Sequence, residues 1–199
     1  MKTHEIALTA SEKALPRETF ARFRALIYRL SGIALGDGKE GLVRSRVSKR
    51  MRVLGVADYD EYFERLMADT TGEEIIHLLD VISTNVTSFF REEEHFRLLG
   101  EIAGAWSKER RTRLRLWSAA CSTGEEPYSM AMTILEASPA ALTDLKILAT
   151  DLSTRALDVA RAGSYGDEKT ACIPRDLRAR YFDRDTKRPS LVRARPELR

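Results

Sequence analysis

Between Leu114 and Asp151 the residues run in the order strand, small-residue turn, helix, strand, acid, and no other feature limits the fold as strongly. Leu114, Leu116 and Trp117 lead into Ser118, Ala119 and Ala120, which predicts a short buried strand ending in small residues. Glu125 to Ser138 reads as a helix, and Leu145 to Thr150 as a second strand closed by Asp151. Ser153 is placed to cap a further helix that stops at Gly163. This is the order of a nucleotide-binding β-α-β unit, so the second part of the chain is predicted to be α/β.

In such a sheet a ligand sits at the carboxyl ends of the strands, where the first turn lets backbone approach closely and an acid after the second strand takes two ribose hydroxyls. Trp117 to Ser129 supplies the turn and Asp151 the acid. Gly124 is the sole glycine of that turn, so the match to a GxGxxG fingerprint is poor. On spacing alone two readings stay open: a nucleoside ligand, or an ordinary α/β turn with a surface aspartate.

Before Ile82 the signals are helical. Phe20, Phe23, Ile27 and Leu30 recur on one helix face after Pro16, with Gly32 as a stop. A second helix is expected from Glu40 to Leu54, ending at Gly55, with Val43, Val47, Met51 and Leu54 as its apolar stripe. Asp58 with Glu61, and Thr71 with Glu74, stand at capping-box spacing and predict helix starts just before Tyr59 and Gly72. The result is a bundle of about four helices. Glu92, Glu93 and Glu94 then open a helix anchored by Phe96, Leu98, Leu99 and Ile102, acids there suiting the positive helix start.

With 43% hydrophobic and 32% charged residues the 199-residue chain has the profile of a soluble globular protein. No apolar run approaches the roughly 20 residues a membrane helix requires, so no membrane insertion and a cytoplasmic location are expected. Cys121, Cys172 and three scattered histidines form no metal-ligand pattern, so no metal is expected. Cys121, Trp106, Trp117, Phe89 and Phe90 read as packing residues. Charge is uneven: from Lys39 to Arg52 six basic residues face one acid, and from Arg175 onward nine face four, which suggests an anionic partner.

The runs Ser83–Glu92, Ser118–Ser129 and Ala149–Ser153 agree in order and spacing with the CheR chemotaxis methyltransferases, as does Lys39–Arg46 with its basic continuation; the resemblance covers about Phe20 to the end. It implies an α plus α/β chain: an N-terminal helical bundle, then the first part of a Rossmann-like S-adenosylmethionine-dependent methyltransferase domain with an incomplete sheet. The expected divisions are 16–82 for receptor docking, 83–112 for a linker and connecting helix with cofactor contacts, 113–180 for the methyltransferase part and 181–199 for the start of an inserted β subdomain.

Position by position, the resemblance assigns Asn85, Thr87 and Arg91 to the S-adenosylmethionine side of the site, with Arg91 the catalytic residue. It assigns Glu125 to the cofactor's methionine or sugar part and Asp151 to its ribose. An arginine fork suits a carboxylate, and an acid suits ammonium or hydroxyl groups. The implied reaction is methyl transfer to glutamates on the cytoplasmic methylation helices of chemoreceptors, leaving S-adenosylhomocysteine. A glutamate is already ionised at neutral pH, so positioning residues are expected rather than a proton-transfer pair. Arg46, Lys49 and Arg50 lie together beside the apolar stripe, and the resemblance makes them the face that docks a receptor's acidic surface.

The last residues, Arg195 to Arg199, read as ending inside the inserted subdomain. The chain is therefore expected to be a deliberate piece, a proteolytic remnant, or a protein that completes its sheet with a partner. It should bind cofactor weakly or not at all, transfer no methyl groups, and leave sheet edges open to association. Two other readings stand beside the enzyme: a non-catalytic module that docks receptors or senses S-adenosylmethionine and S-adenosylhomocysteine, and, less favoured, a basic nucleic-acid binder.

Overall fold

The computed structural model describes residues 14–138 and 144–199 and divides into two units, Met1–Thr84 and Asn85–Arg199. The first unit contains helices α1 (Arg17–Ser31), α2 (Glu40–Leu54), α3 (Tyr59–Ala68) and α4 (Glu73–Ile82), with a 3-10 turn at Asp37–Lys39. Apolar spacing decides which faces meet: Phe20, Phe23 and Ile27 of α1 are buried in one core with Val43, Val47 and Met51 of α2. A fully buried side chain of this kind stabilises the fold by about 1.5–3 kcal/mol. Leu30 stays 38% exposed, beyond the edge of that core.

Asp58 caps α3 as predicted, its carboxylate accepting from the amides of Asp60 and Glu61 at 2.9 and 3.1 Å. The capping box predicted at Thr71 and Glu74 is not formed. Instead Asp69 Oδ2 accepts from the Glu74 amide at 2.7 Å and Thr71 Oγ1 from the Glu73 amide at 3.2 Å, so α4 starts at Glu73. The Glu74 side chain turns inward, where the buried Tyr62 hydroxyl donates to it at 2.8 Å and the Arg50 guanidinium grips both its oxygens. Burial works against ionisation of Glu74, but the bonds from Arg50 and Tyr62 outweigh it and hold the carboxyl below its ordinary range.

The second unit begins with α5 (Glu93–Lys108), then β1 (Arg113–Ser118), α6 (Glu125–Ala137), β2 (Asp144–Ala149) and α7 (Thr154–Ala162). β1 and β2 pair in parallel, with Leu114 opposite Leu145 and Leu116 opposite Ile147. Leu114, Leu116 and Leu145 pack with Ala103 of α5 and Ile134 of α6. Because strand side chains alternate, Trp117 and its partner Leu148 point to the other face, 64% and 60% exposed. Trp117 is therefore not core, contrary to expectation, whereas Phe89 is buried and Phe90 and Trp106 are half-buried. Leu98 and Ile102 of α5 are likewise exposed, and Phe96 and Ala103 anchor that helix.

After α7 the chain forms β3 (Ser164–Gly166), the short helices α8 (Asp167–Thr170) and α9 (Arg175–Tyr181), then β4 (Phe182–Arg184) and β5 (Leu191–Ala194). These strands make an antiparallel sheet in the order β3-β5-β4, so the small sheet expected from residue 181 draws its first strand from Ser164. Phe89 packs edge-on against Tyr165 of β3 and Phe182 of β4, with centroids 5.0 and 5.7 Å away. Among the described residues no helix is long and apolar enough to cross a membrane, and no group of side chains is arranged to hold a metal ion.

Candidate functional site

The site is built on the turn from β1 to α6. Parallel pairing carries one residue past each strand: the Thr150 amide donates to Ser118 O at 3.0 Å and the Cys121 amide to Thr150 O at 3.0 Å. That registers Asp151 beside the turn, where its Oδ2 accepts from the Ser122 amide and its Oδ1 from the Ser153 amide, each at 2.8 Å. Gly124 closes the turn at φ +97°, a conformation side chains resist. A Cβ there would lie 2.8 Å from the Tyr165 hydroxyl and 2.9 Å from Ala160 Cα, so the site tolerates only glycine. The Tyr165 hydroxyl, its ionisation suppressed first by burial and then by Tyr128 and Glu125, donates to Thr123 O at 2.8 Å.

Glu125, at the first position of α6, is fully buried. Its carboxylate accepts from Thr123 Oγ1 at 2.6 Å and from Lys169 Nζ at 2.7 Å. Lys169 lies 44 residues away in α8. No spacing rule links the two, so the sequence offered no signal for this pair. Cys121 is buried, and burial followed by the nearby Asp151 charge pushes its thiol up, away from nucleophilic behaviour.

Arg91 is bracketed by left-handed residues, Phe90 at φ 54° and Glu92 at φ 60°. The Phe90 amide donates to Ser129 Oγ at 3.0 Å, and Ser129 Oγ donates to Glu125 O at 2.7 Å, which fixes the Arg91 backbone against the first turns of α6. The Arg91 side chain itself is exposed, and its guanidinium donates to Val86 O at 2.7 Å. Among the described residues it makes no ion pair with Glu125 or Asp151. Asn85 is exposed and Thr87 half-buried in the same loop. The structure thus joins Asp151 directly to the Ser122 turn and holds the Arg91 segment nearby. A cleft of about 500 Å³ in this unit, walled by Tyr128, Ile147, Leu157 and Leu198 among others, is lined by none of the expected ligand residues.

The docking residues on α2 divide. Arg46 Nη1 donates to the carbonyls of Val81, Ile82 and Ser83 at 3.1, 2.6 and 2.8 Å, satisfying the end of α4 with a cation where the helix dipole is negative. Arg50 is committed to Glu74, as described above. Lys49 is exposed, together with Arg44 and Arg52.

The description "CheR methyltransferase, SAM binding domain" matches residues 85–196, over half of the chain, and "CheR methyltransferase, all-alpha domain" matches residues 18–83. The chain belongs to the CheR methyltransferase family. It is 42% identical over 170 residues to chemotaxis protein methyltransferase 2 of Pseudomonas aeruginosa, a match covering 85% of this chain and 60% of that protein. It is 41% identical over 187 residues to the chemotaxis protein methyltransferase of Salmonella typhimurium, covering 93% and 63%, and 39% identical over 186 residues to that of Escherichia coli, covering 93% and 64%. The chain spans about three fifths of the length of these CheR relatives.

A CheR site for an S-adenosyl group would need polar groups with bonding capacity to spare. Each oxygen of Asp151 accepts one amide and so keeps a lone pair free for a further donor. Gly124 packs the turn against Tyr165 and Ala160, and the Ser122 hydroxyl is buried with no partner among the described residues.

Proposed function

We propose that this chain provides the receptor-docking part and the first part of the S-adenosylmethionine site of an enzyme that methylates glutamate side chains on chemoreceptors in the cytoplasm. The observation that carries the reading is the bond from the Ser122 amide to Asp151, which sets an acid with spare acceptor capacity at the mouth of the first strand. S-adenosylmethionine, when bound, supplies an electrophilic methyl on a sulfonium, which an already ionised glutamate oxygen takes without a general base. The work left to the protein is alignment and exclusion of water. Asp151 holds the ribose. Glu125, kept in place by Lys169 and Thr123, faces the methionine or sugar part, and Asn85, Thr87 and Arg91 complete that side, Arg91 swinging from Val86 O to a carboxylate.

Docking of the receptor's acidic methylation helix rests on α2. Lys49 presents its charge outward, while Arg46 and Arg50 act by fixing α2 to α4. Ligand-observed NMR with S-adenosylhomocysteine tests the site: saturable binding, even if weak, that Asp151→Ala abolishes is expected, and binding unaffected by that change refutes it. Binding of a chemoreceptor cytoplasmic fragment should weaken in Lys49→Glu and in high salt. Transfer of labelled methyl to that fragment separates the enzyme from a module that only docks or senses.

A further inference from the structure

Three carboxylates gather where β1 gives way to α6. Glu125 is fully buried, Asp151 half-buried and Glu126 exposed. All three lie near enough to Cys121 for their charges to add to the push that burial gives its thiol. The groups that hold two of them are neutral: Ser118 Oγ donates to Glu126 at 2.6 Å, and two amides donate to Asp151. Among the described residues Lys169 is the only cation ion-paired with any of the three, its Nζ 2.7 Å from Glu125 Oε1 and 3.3 Å from Thr123 Oγ1.

Stability alone does not select such a pair. Taking a charge out of water is costly, and neutral side chains of similar volume often hold a fold as well or better. What the pair does fix is charge: Lys169, half-exposed on α8, reaches in and cancels one of the three negative charges. S-adenosylmethionine and S-adenosylhomocysteine share their ribose, ammonium and carboxylate groups and differ by one methyl group and the positive charge on sulfur. We infer that Lys169 is a positioning residue of this site which, by neutralising Glu125, sets the balance of affinity between these two ligands; the inference rests on the functional reading above. A bare carboxylate favours the sulfonium over the uncharged thioether, and a neutralised one withdraws that preference.

The test measures the affinities of the full chain for both ligands by ligand-observed NMR titration at about pH 8, well above the ordinary carboxyl range. Groups that the ligands share cancel in the ratio of the two affinities. The ratio therefore reports the charge at sulfur, whereas a general loosening of the site would weaken both ligands alike. Lys169→Gln, which can still donate to Glu125, and Lys169→Met should each shift the ratio about fivefold toward S-adenosylmethionine. Lys169→Arg keeps the cation, and the double variant of Lys169→Met with Glu125→Gln restores the net charge, so both should stay within about twofold of the unaltered ratio. A ratio unmoved in Lys169→Gln and Lys169→Met, or a shift that persists in the double variant, overturns the inference; should one single variant fail to fold, the other decides. If the unaltered chain binds neither ligand, the functional reading falls and takes this inference with it. If it binds both and the ratio does not move, this inference falls alone.

Discussion

Replacing Glu74 by glutamine removes one negative charge from the interior of the first unit while keeping the side chain's shape. In the folded chain Glu74 Oε1 accepts from Tyr62 Oη at 2.8 Å and Arg50 Nε at 3.0 Å, and Oε2 accepts from Arg50 Nη2 at 2.7 Å. The two side chains are only 17% and 10% exposed, so water replaces little of what is lost. Glutamine keeps one acceptor and turns an NH2 group toward the guanidinium. Removing one partner of a buried pair costs about 3–5 kcal/mol. The remaining acceptor and the partial exposure of Arg50 put this case near the lower end, at about 3 kcal/mol. At roughly 4–8 °C per kcal/mol for a domain of this size, the unfolding temperature should fall by roughly 12–24 °C.

Far-ultraviolet circular dichroism at neutral pH follows the helices, while fluorescence of Trp106 and Trp117 reports the second unit separately, because the first contains no tryptophan. The double variant Arg50→Met with Glu74→Leu should be less destabilised than Glu74→Gln alone, since it leaves no uncompensated charge. The pH dependence has a definite sign. Against the pull of burial, the bonds from Arg50 and Tyr62 depress the folded carboxyl below its unfolded value, so its contribution is complete above the ordinary carboxyl range of about 4.3 and is lost as acid carries the folded group through its lowered pKa. The gap between the unaltered chain and Glu74→Gln should therefore narrow in acid. A loss below about 1 kcal/mol, or a gap that widens on acidification, would refute the assignment of Glu74 as the keystone of this unit.

Two further outcomes concern the second unit. Gly124→Ala combines left-handed backbone with a Cβ 2.8 Å from the Tyr165 hydroxyl and 2.9 Å from Ala160; it should destabilise that unit by about 2–5 kcal/mol in urea titrations followed by tryptophan emission. Lys169→Met leaves the 1%-exposed Glu125 carboxylate without its cation, and because Lys169 is itself 51% exposed the expected loss is about 1–3 kcal/mol, largely recovered in the double variant with Glu125→Gln.

What was legible in the sequence was what local rules govern. The span Glu40–Leu54, its stop at Gly55, the cap at Asp58 and the order from β1 to Asp151 all follow from periodicity and neighbouring side chains. Pairings across the fold were not legible. Arg50 and Glu74 stand 24 residues apart, and the same charge pattern reads equally well as a solvated face until α4 is laid beside α2. Trp117 looked apolar enough for the core, but strand alternation leaves it on the face opposite Leu116, and only the side taken by α5 and α6 decides which of the two is covered. The acid at Asp151 was found because it ends a strand, whereas Lys169 comes from a short helix 18 residues further on that no motif marks. For Arg91 the resemblance named the residue, but the direction of its guanidinium, set by Val86 O, follows from no local rule.

At the joint where Gly124 meets Ala160 and Tyr165, and where Gly163 meets the Tyr128 hydroxyl, there is no spare volume on either side. Trimming a neighbour would free the volume without freeing the backbone, since both glycines hold left-handed φ that a side chain resists however much room it has. The two positions are therefore doubly locked, and a library that pairs each with a smaller neighbour will recover glycine there as surely as one that varies them alone.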